Sequence, residues 1–393
     1  MKNIIVFFLL IGLVACKDKP IKTNQKSIKK LNLKSTSLAM YIGTYTKKED
    51  HVNGKAEGIY LVEMDTLTGH LQLKETVAEV INPSFVVVSP DEKNVYAVSE
   101  LSDKDDTTGY IYVYSINQDK SLLFLQKLPT RAFAPCQISF DRDRKFVFVS
   151  NYVGGIVTVF KRSMNGSLTL SDTVQLKGST EHPRQESSHP HSVTVSPEND
   201  HAFIADLGSN KIWRFLINHN RGTLSPDEIP FIELQKGAGP RHFTFHSNGK
   251  FAYVINELDN TINAFTYDEL TGVLSNLQNI STLPSDYKGE SYCADIHIHP
   301  NGKFLYGSNR GHDSIVVYKI DIETGKLELI GYFPTKGKFP RNFSIDPSGK
   351  FLYVANQNSN TIVQFYIDQK TGALTFANHK LEVKTPVSIS WCK

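Results

Sequence analysis

One sequence unit returns along most of the chain, and it sets what the chain can fold into. Gly239-Pro240-Arg241-His242-Phe243-Thr244-Phe245-His246-Ser247-Asn248-Gly249-Lys250-Phe251-Ala252-Tyr253-Val254 has a counterpart in Phe339-Pro340-Arg341-Asn342-Phe343-Ser344-Ile345-Asp346-Pro347-Ser348-Gly349-Lys350-Phe351-Leu352-Tyr353-Val354. Related units begin at Pro83, Pro135, Pro190 and Cys293, with a partial one at Pro386. A repeat of about fifty residues points to stacked supersecondary units, each unable to bury its apolar face alone. Within a unit, a strand of alternating pattern, a turn such as Asn-Gly-Lys and a second strand are followed by a third strand (Thr261–Tyr267, Ile315–Ile320, Ile362–Ile367). An Asp-x-x-Thr-Gly-x-Leu hairpin at Asp65, Asp268, Asp321 and Asp368 then opens a fourth strand, its Gly supplying a positive φ. Four antiparallel strands per unit make a β-propeller blade, so the fold class is all-β.

The chain ends settle the blade count. Tyr41–Tyr45 and Gly58–Met64 supply later strands of a unit that lacks its first, and Thr385–Ser390 supplies a first strand with nothing after it. Joined, they complete one blade. With six others the ring has seven, closed by N- and C-terminal strands in one blade, and no sheet edge stays open. The expected domain is therefore 41–393.

Residues 1–40 differ. Eight Lys and one acid give them a net +7, so a chain of net +3 carries −4 over 41–393. A nucleic-acid-binding surface is not expected of an acidic core. The apolar run Ile4–Val14 is too short to span a bilayer and suits a signal-peptide core, and Leu13-Val14-Ala15-Cys16 resembles a bacterial lipobox. The expectation is a lipoprotein signal peptide over 1–16, lipidation at Cys16, a flexible tether over 17–40, and an exported monomer held at the bacterial cell envelope by its lipid alone. Cys136, Cys293 and Cys392 then remain, an odd number without metal-ligand spacing, so neither a disulfide framework nor a structural zinc site is indicated.

In a ring, each repeat column becomes a circle about the axis. With the closing blade as blade 1, the column after the unit's first Pro holds His191, Arg241 and Arg341, and the next holds His242 and Asp295. A third column, after the second strand, holds Glu257 and Arg310. These charged residues gather on the arc of blades 4 to 7, where a plain scaffold would repeat like residues all round. Guanidinium forks suit carboxylates and phosphates, so a small anionic ligand fits, with mutual Arg–Glu pairing around a wet channel as the competing reading. His189-Pro190-His191 puts two imidazoles on one strand, and His182, His242 or His297 would be needed to make a metal site. No carboxylate stands beside the pair at ligand spacing, and no metal or cofactor is expected.

Several motifs in order resemble the seven-bladed propeller lactonases, a family that includes bacterial 6-phosphogluconolactonases and fungal carboxymuconate cyclases. They are Tyr41-Ile42-Gly43-Thr44-Tyr45-Thr46, His189-Pro190-His191, Asp206-Leu207-Gly208, Gly239-Pro240-Arg241-His242, Asn256-Glu257-Leu258, Ser308-Asn309-Arg310-Gly311 and Pro340-Arg341-Asn342-Phe343, and the likeness covers about 41–390. The resemblance implies a catalytic set of His191, Arg241 and Glu257. His189, His242, Asp295, Arg310 and Arg341 join it as substrate-binding candidates, although Asp295 stands where many relatives carry Glu. The implied activity is opening of a sugar-acid lactone such as 6-phosphogluconolactone by general acid/base hydrolysis. A non-enzymatic surface propeller and a cycloisomerase are the alternatives.

Overall fold

The computed structural model describes Met1, residues 36–49 and residues 51–392. The expected signal peptide, Cys16 and all but the last residues of the expected tether lie outside the described residues. Seven four-stranded antiparallel sheets follow one another. Blade 1 is built from Pro386–Cys392, Ser37–Thr44, Ile59–Asp65 and Leu71–Ala78, in that spatial order. Blades 2 to 7 open at Val86, Pro135, Pro190, Pro240, Tyr292 and Pro340, each with its strands in sequence order. Among the described residues the helical content is a single 3₁₀ turn, Gln357–Ser359.

The ring closes as the half-units require. Met40 pairs with Trp391 and Ile42 with Ile389 across the N- and C-terminal strands. The N-terminal strand starts at Ser37, inside the segment expected to be tether. The tether composition hid it, because Ser37-Leu38-Ala39-Met40 precedes the aromatic pattern used to place the strand. Cys136, Cys293 and Cys392 are all buried free thiols.

Two sequence features explain how blades hold one another. In the Asp-x-x-Thr-Gly turn, Asp268 Oδ1 accepts hydrogen bonds from the amides of Leu270 and Thr271 at 3.0 Å each, and Asp368 does the same for Lys370 and Thr371. The turn Gly lies against the second strand of the preceding blade: a Cβ on Gly325 would stand 2.3 Å from the Phe251 ring, and one on Gly372 2.5 Å from Phe304. Next along those strands, a buried tyrosine donates to the carbonyl of the same turn. Tyr253 reaches Gly325 at 2.9 Å, Tyr306 reaches Gly372 at 2.8 Å, and Tyr353 reaches Gly69 at 2.6 Å. Tyr96 reaches Gly166 at 2.6 Å, and Tyr41 reaches Lys120 at 2.8 Å. The two remaining blades carry Phe148 and Phe203 at this position.

The latch predicts a modest, local cost. Tyr306→Phe leaves the Gly372 carbonyl buried without its donor and should cost about 1–3 kcal/mol in denaturant unfolding. Phe148→Tyr, which adds a hydroxyl where none is used, should give no comparable gain.

Candidate functional site

The first strand of each blade borders the axis, and a recurrent bulge decides which side chains point along it. The ladder skips a residue between Pro135 and Gln137, Pro190 and Ser192, Pro240 and His242, and Pro340 and Asn342. The skipped residues are Cys136, His191, Arg241 and Arg341. A bulge residue is free of the ladder and re-aimed, which is how a sheet presents a side chain to a site. Three of these bulges follow a residue in the left-handed region, Ala134 (φ 49°), Gly239 (φ 66°) and Phe339 (φ 63°).

A cavity of about 800 Å³ opens at this mouth, walled by Cys136, Tyr152, Arg184, His191, Glu257, Tyr292, Arg310, Phe339 and Arg341 among others. Lys48, Glu49 and His51, from a small hairpin over the rim, also line it. Arg241 and His242 border a narrower space beneath, shared with Glu100, Cys136 and Arg341.

Glu257 is the electrostatic centre of the site. Its Oε1 meets Arg184 at 2.7 Å, and its Oε2 meets Arg310 at 2.7 Å and Arg241 at 3.0 Å. Burial opposes ionisation here, but Arg310, Arg184 and Arg241 outweigh it and hold the carboxyl below the usual carboxylate range. Arg241 also donates to the carbonyl of Ala294 at 2.5 Å, and Arg310 to that of Cys293 at 2.8 Å. The expected Arg–Glu pairing is thus real for this part of the arc.

Arg341 is different. Among the described residues it has neither a hydrogen bond nor an ion pair, and its guanidinium stands over the Tyr45 ring, 5.4 Å from the centroid. His191 is buried, 3.8 Å through Nδ1 from Cys136 Sγ, with the Tyr152 ring 5.5 Å away. Burial, then the charges of Arg241, His242 and Arg341, push its pKa well below the ordinary imidazole value, so it is neutral at pH 7. Burial pushes the Cys136 thiol up, so it stays protonated.

The other sequence candidates lie behind the wall. His242 Nδ1 meets Asp295 Oδ1 at 2.7 Å, His297 Nε2 meets Asp295 Oδ2 at 2.9 Å, and Asn342 donates to Asp295 at 2.5 Å. Burial and Arg241 bring His242 down to about 4. Asp295, surrounded in this way, does not line the cavity, and neither does His189. The latter stacks on Tyr152 at 4.5 Å and bridges Glu186 and the Tyr152 carbonyl. Buried Asp206 accepts the His189 amide at 2.6 Å, which fixes the entry to this strand. His189 and Asp295 therefore support the site without facing a ligand in the cavity. Arg184 was missed by the repeat columns because it sits in the inserted loop between blades 3 and 4, outside any column. Tyr152 stood in the third column, where an aromatic residue gave no chemical signal.

The profile of the family described as "Lactonase, 7-bladed beta-propeller" matches residues 39–391. The chain belongs to this family. It is 38% identical over 320 residues to a 6-phosphogluconolactonase of Formosa agariphila, covering 78% of this chain and 86% of that protein. The 6-phosphogluconolactonase of Bacillus subtilis is 34% identical over 306 residues, covering 77% and 83%. The solved structure of the periplasmic gluconolactonase of Pseudomonas aeruginosa superposes with a TM-score of 0.84 at 30% identity, covering 91% of this chain and 99% of that one.

Glu257→Gln removes the only carboxylate that three guanidiniums share here, so this lactonase-family ring should lose about 3–5 kcal/mol in equilibrium unfolding. For the ionised carboxyl the sign is fixed by its lowered pKa. Its contribution is full above the ordinary Glu value of 4.5 and declines as pH falls below it, so the wild-type minus Glu257→Gln stability gap should narrow in acid.

Proposed function

We propose that the protein is a lactone hydrolase that opens a sugar-acid lactone, 6-phosphogluconolactone or a close relative, with His191 as general base and Arg341 as the anion-binding group. The observation that carries this reading is the pairing, in one cavity, of a neutral imidazole with a guanidinium that feels the charges of Glu100 and Glu257 but, among the described residues, is in direct ion-pair contact with neither. A scaffold has no use for either. The similarity to proteins named 6-phosphogluconolactonase and periplasmic gluconolactonase supports the same reading.

The chemistry follows from these charges. The imidazole takes a proton from a water, and the hydroxide bonds to the lactone carbonyl carbon. The carbonyl oxygen becomes an oxyanion, which Arg341 stabilises where water is largely displaced. As the tetrahedral centre collapses, the ring C–O bond breaks and the departing alkoxide takes the proton back from the imidazolium. The product is a hydroxy acid. Glu257, saturated by Arg184, Arg241 and Arg310, is a poor proton acceptor, and its part is to fix those arginines. Arg184, with its side chain 41% exposed at the rim, is the group placed to meet an anionic substituent on the sugar.

The Lys2–Cys16 leader and the likeness to a periplasmic enzyme support an exported, lipid-anchored location with a lactone reaching the site from the envelope. Cys16→Ser in the full chain should release the protein from the membrane fraction and abolish labelling by a fatty-acid analogue. Retained labelling overturns the anchor.

Hydrolysis of gluconolactone and its 6-phosphate should be followed with His191→Asn and Arg341→Ala. His191→Asn should lower kcat by about 10²–10⁴-fold. Arg341→Ala should lower kcat/KM by roughly 10–100-fold, the effect of one lost charge-assisted contact of about 1.5–3 kcal/mol. A general base with a depressed pKa works while unprotonated, so the rate should hold level from pH 8 to below 6.5 and fall only in stronger acid. Unaltered hydrolysis in both variants would remove the assignment.

A further inference from the structure

Two blade junctions lack the tyrosine hydroxyl that latches the others, and each has something else in its place. Between blades 4 and 5, where Phe203 stands at the latch position, Arg214 donates to Asp227 at 2.5 Å and to the Thr271 carbonyl in the neighbouring turn at 2.7 Å. Between blades 3 and 4, where Phe148 stands, Asp141, Asp143 and His219 converge from the two blades, with one ligand atom of each within 4.8 Å of the others.

Two groups of that cluster are each held on one side and unpartnered on the other. Asp141 is 1% exposed, in the turn between the first two strands of blade 3. Its Oδ1 accepts the amides of Lys145 and Phe146 at 2.7 Å each, while its buried Oδ2 has no hydrogen-bond partner. His219 lies in the turn between the third and fourth strands of blade 4. Its Nε2 donates to the Asn199 carbonyl at 2.5 Å, which leaves the lone pair on Nδ1, also buried and without a hydrogen bond. That nitrogen faces Asp141 Oδ2 at 4.0 Å. Two acceptors thus face each other in a buried gap with nothing donated between them. An imidazole whose far N–H is held by a backbone carbonyl, beside a carboxylate whose far oxygen is held by amides, is the outer-shell arrangement that orients metal ligands.

We propose that Asp141, Asp143 and His219 form a divalent-cation site, of the kind that takes Zn²⁺ or Mn²⁺, which clamps blade 3 to blade 4 outside the reaction cavity. One nitrogen and carboxylate oxygens suit such borderline ions, and the 4.0 Å between Nδ1 and Oδ2 must close by roughly 0.6–1 Å for both to stand about 2.1 Å from a shared ion, a shift within reach of two turns on the surface. Water completes the coordination. Lys145, which meets Asp143 at 3.1 Å, is displaced from that carboxylate on binding, and Arg142 is already turned onto the Ser196 carbonyl at 2.7 Å. The nearby positive charges set a modest affinity. The spacing in sequence gave no hint of the site, because its ligands come from two turns separated by six strands.

The test uses the full chain after dialysis against EDTA, titrated with Mn²⁺ and separately with Zn²⁺ by calorimetry, together with His219→Gln and Asp143→Asn. Both side chains are partly exposed, at 33% and 52%, and neither borders the cavity, so the variants should fold and hydrolyse lactone as the wild type does. The expected result is one equivalent bound by the wild type, affinity at least tenfold weaker in each variant, and an ion-dependent rise in unfolding temperature that both variants lack. Absence of binding to the wild type, or binding and stabilisation that survive in both variants, overturns the proposal. So does a His219→Gln stability loss that grows as pH falls and ignores added ion, since that describes a charged His219–Asp141 pair instead.

Discussion

Each blade of this ring is held by the turn of the next one, and the packing of a turn glycine against an aromatic strand residue is the contact on which the rest depends. A blade alone has one face too many, with Phe251, Tyr253 and Ile255 packing against residues of blade 6 such as Val316 and Leu327. The glycine lets the neighbouring hairpin come within van der Waals distance, and the tyrosine hydroxyl then fixes its height by a single carbonyl. Because these residue types recur at most of the junctions, small errors of tilt do not accumulate around seven blades, and the last can meet the first.

That regularity is what allows the axis to be irregular. The bulges in blades 3, 4, 5 and 7 put Cys136, His191, Arg241 and Arg341 at equivalent places, so chemistry varies by residue choice on a constant frame. On one side of the cavity three guanidiniums surround Glu257, a cluster of net charge +2 whose shared carboxylate holds the long side chains in place. On the other, among the described residues, Arg341 makes no direct ion pair, with Glu100 and Glu257 acting on it only from a distance, and His191 stays neutral. The site thus separates a stiff, self-satisfied wall from a reactive one.

How far the sequence spoke differs from residue to residue. The Pro–Gly–Lys–Tyr spacing carried the blade count and the closure, because turns and alternation are local and a ring needs them at every repeat. The columns also carried Arg241, Glu257, Arg310 and Arg341 to the channel mouth. They could not separate His191, which faces the cavity, from His189, which stacks behind it on Tyr152, since strand alternation puts both on one face and the bulge that divides them leaves no mark in composition. Asp295 looked like a ligand contact by column and proves to be the hub of His242, His297 and Asn342. Arg184 arrives from an insertion, and a repeat cannot announce what departs from it.

The pairing of Met40 with Trp391 has a consequence in time as well as in space. A ribosome makes the chain from its amino end, so the strand Ser37–Thr44 is made more than three hundred residues before Pro386–Cys392, the partner that covers its inner edge. Until then six blades can assemble but the seventh is short of a strand, and contacts spanning nearly the whole chain form slowly because a long loop must close first. The ring can therefore close only once Pro386–Cys392 has been made.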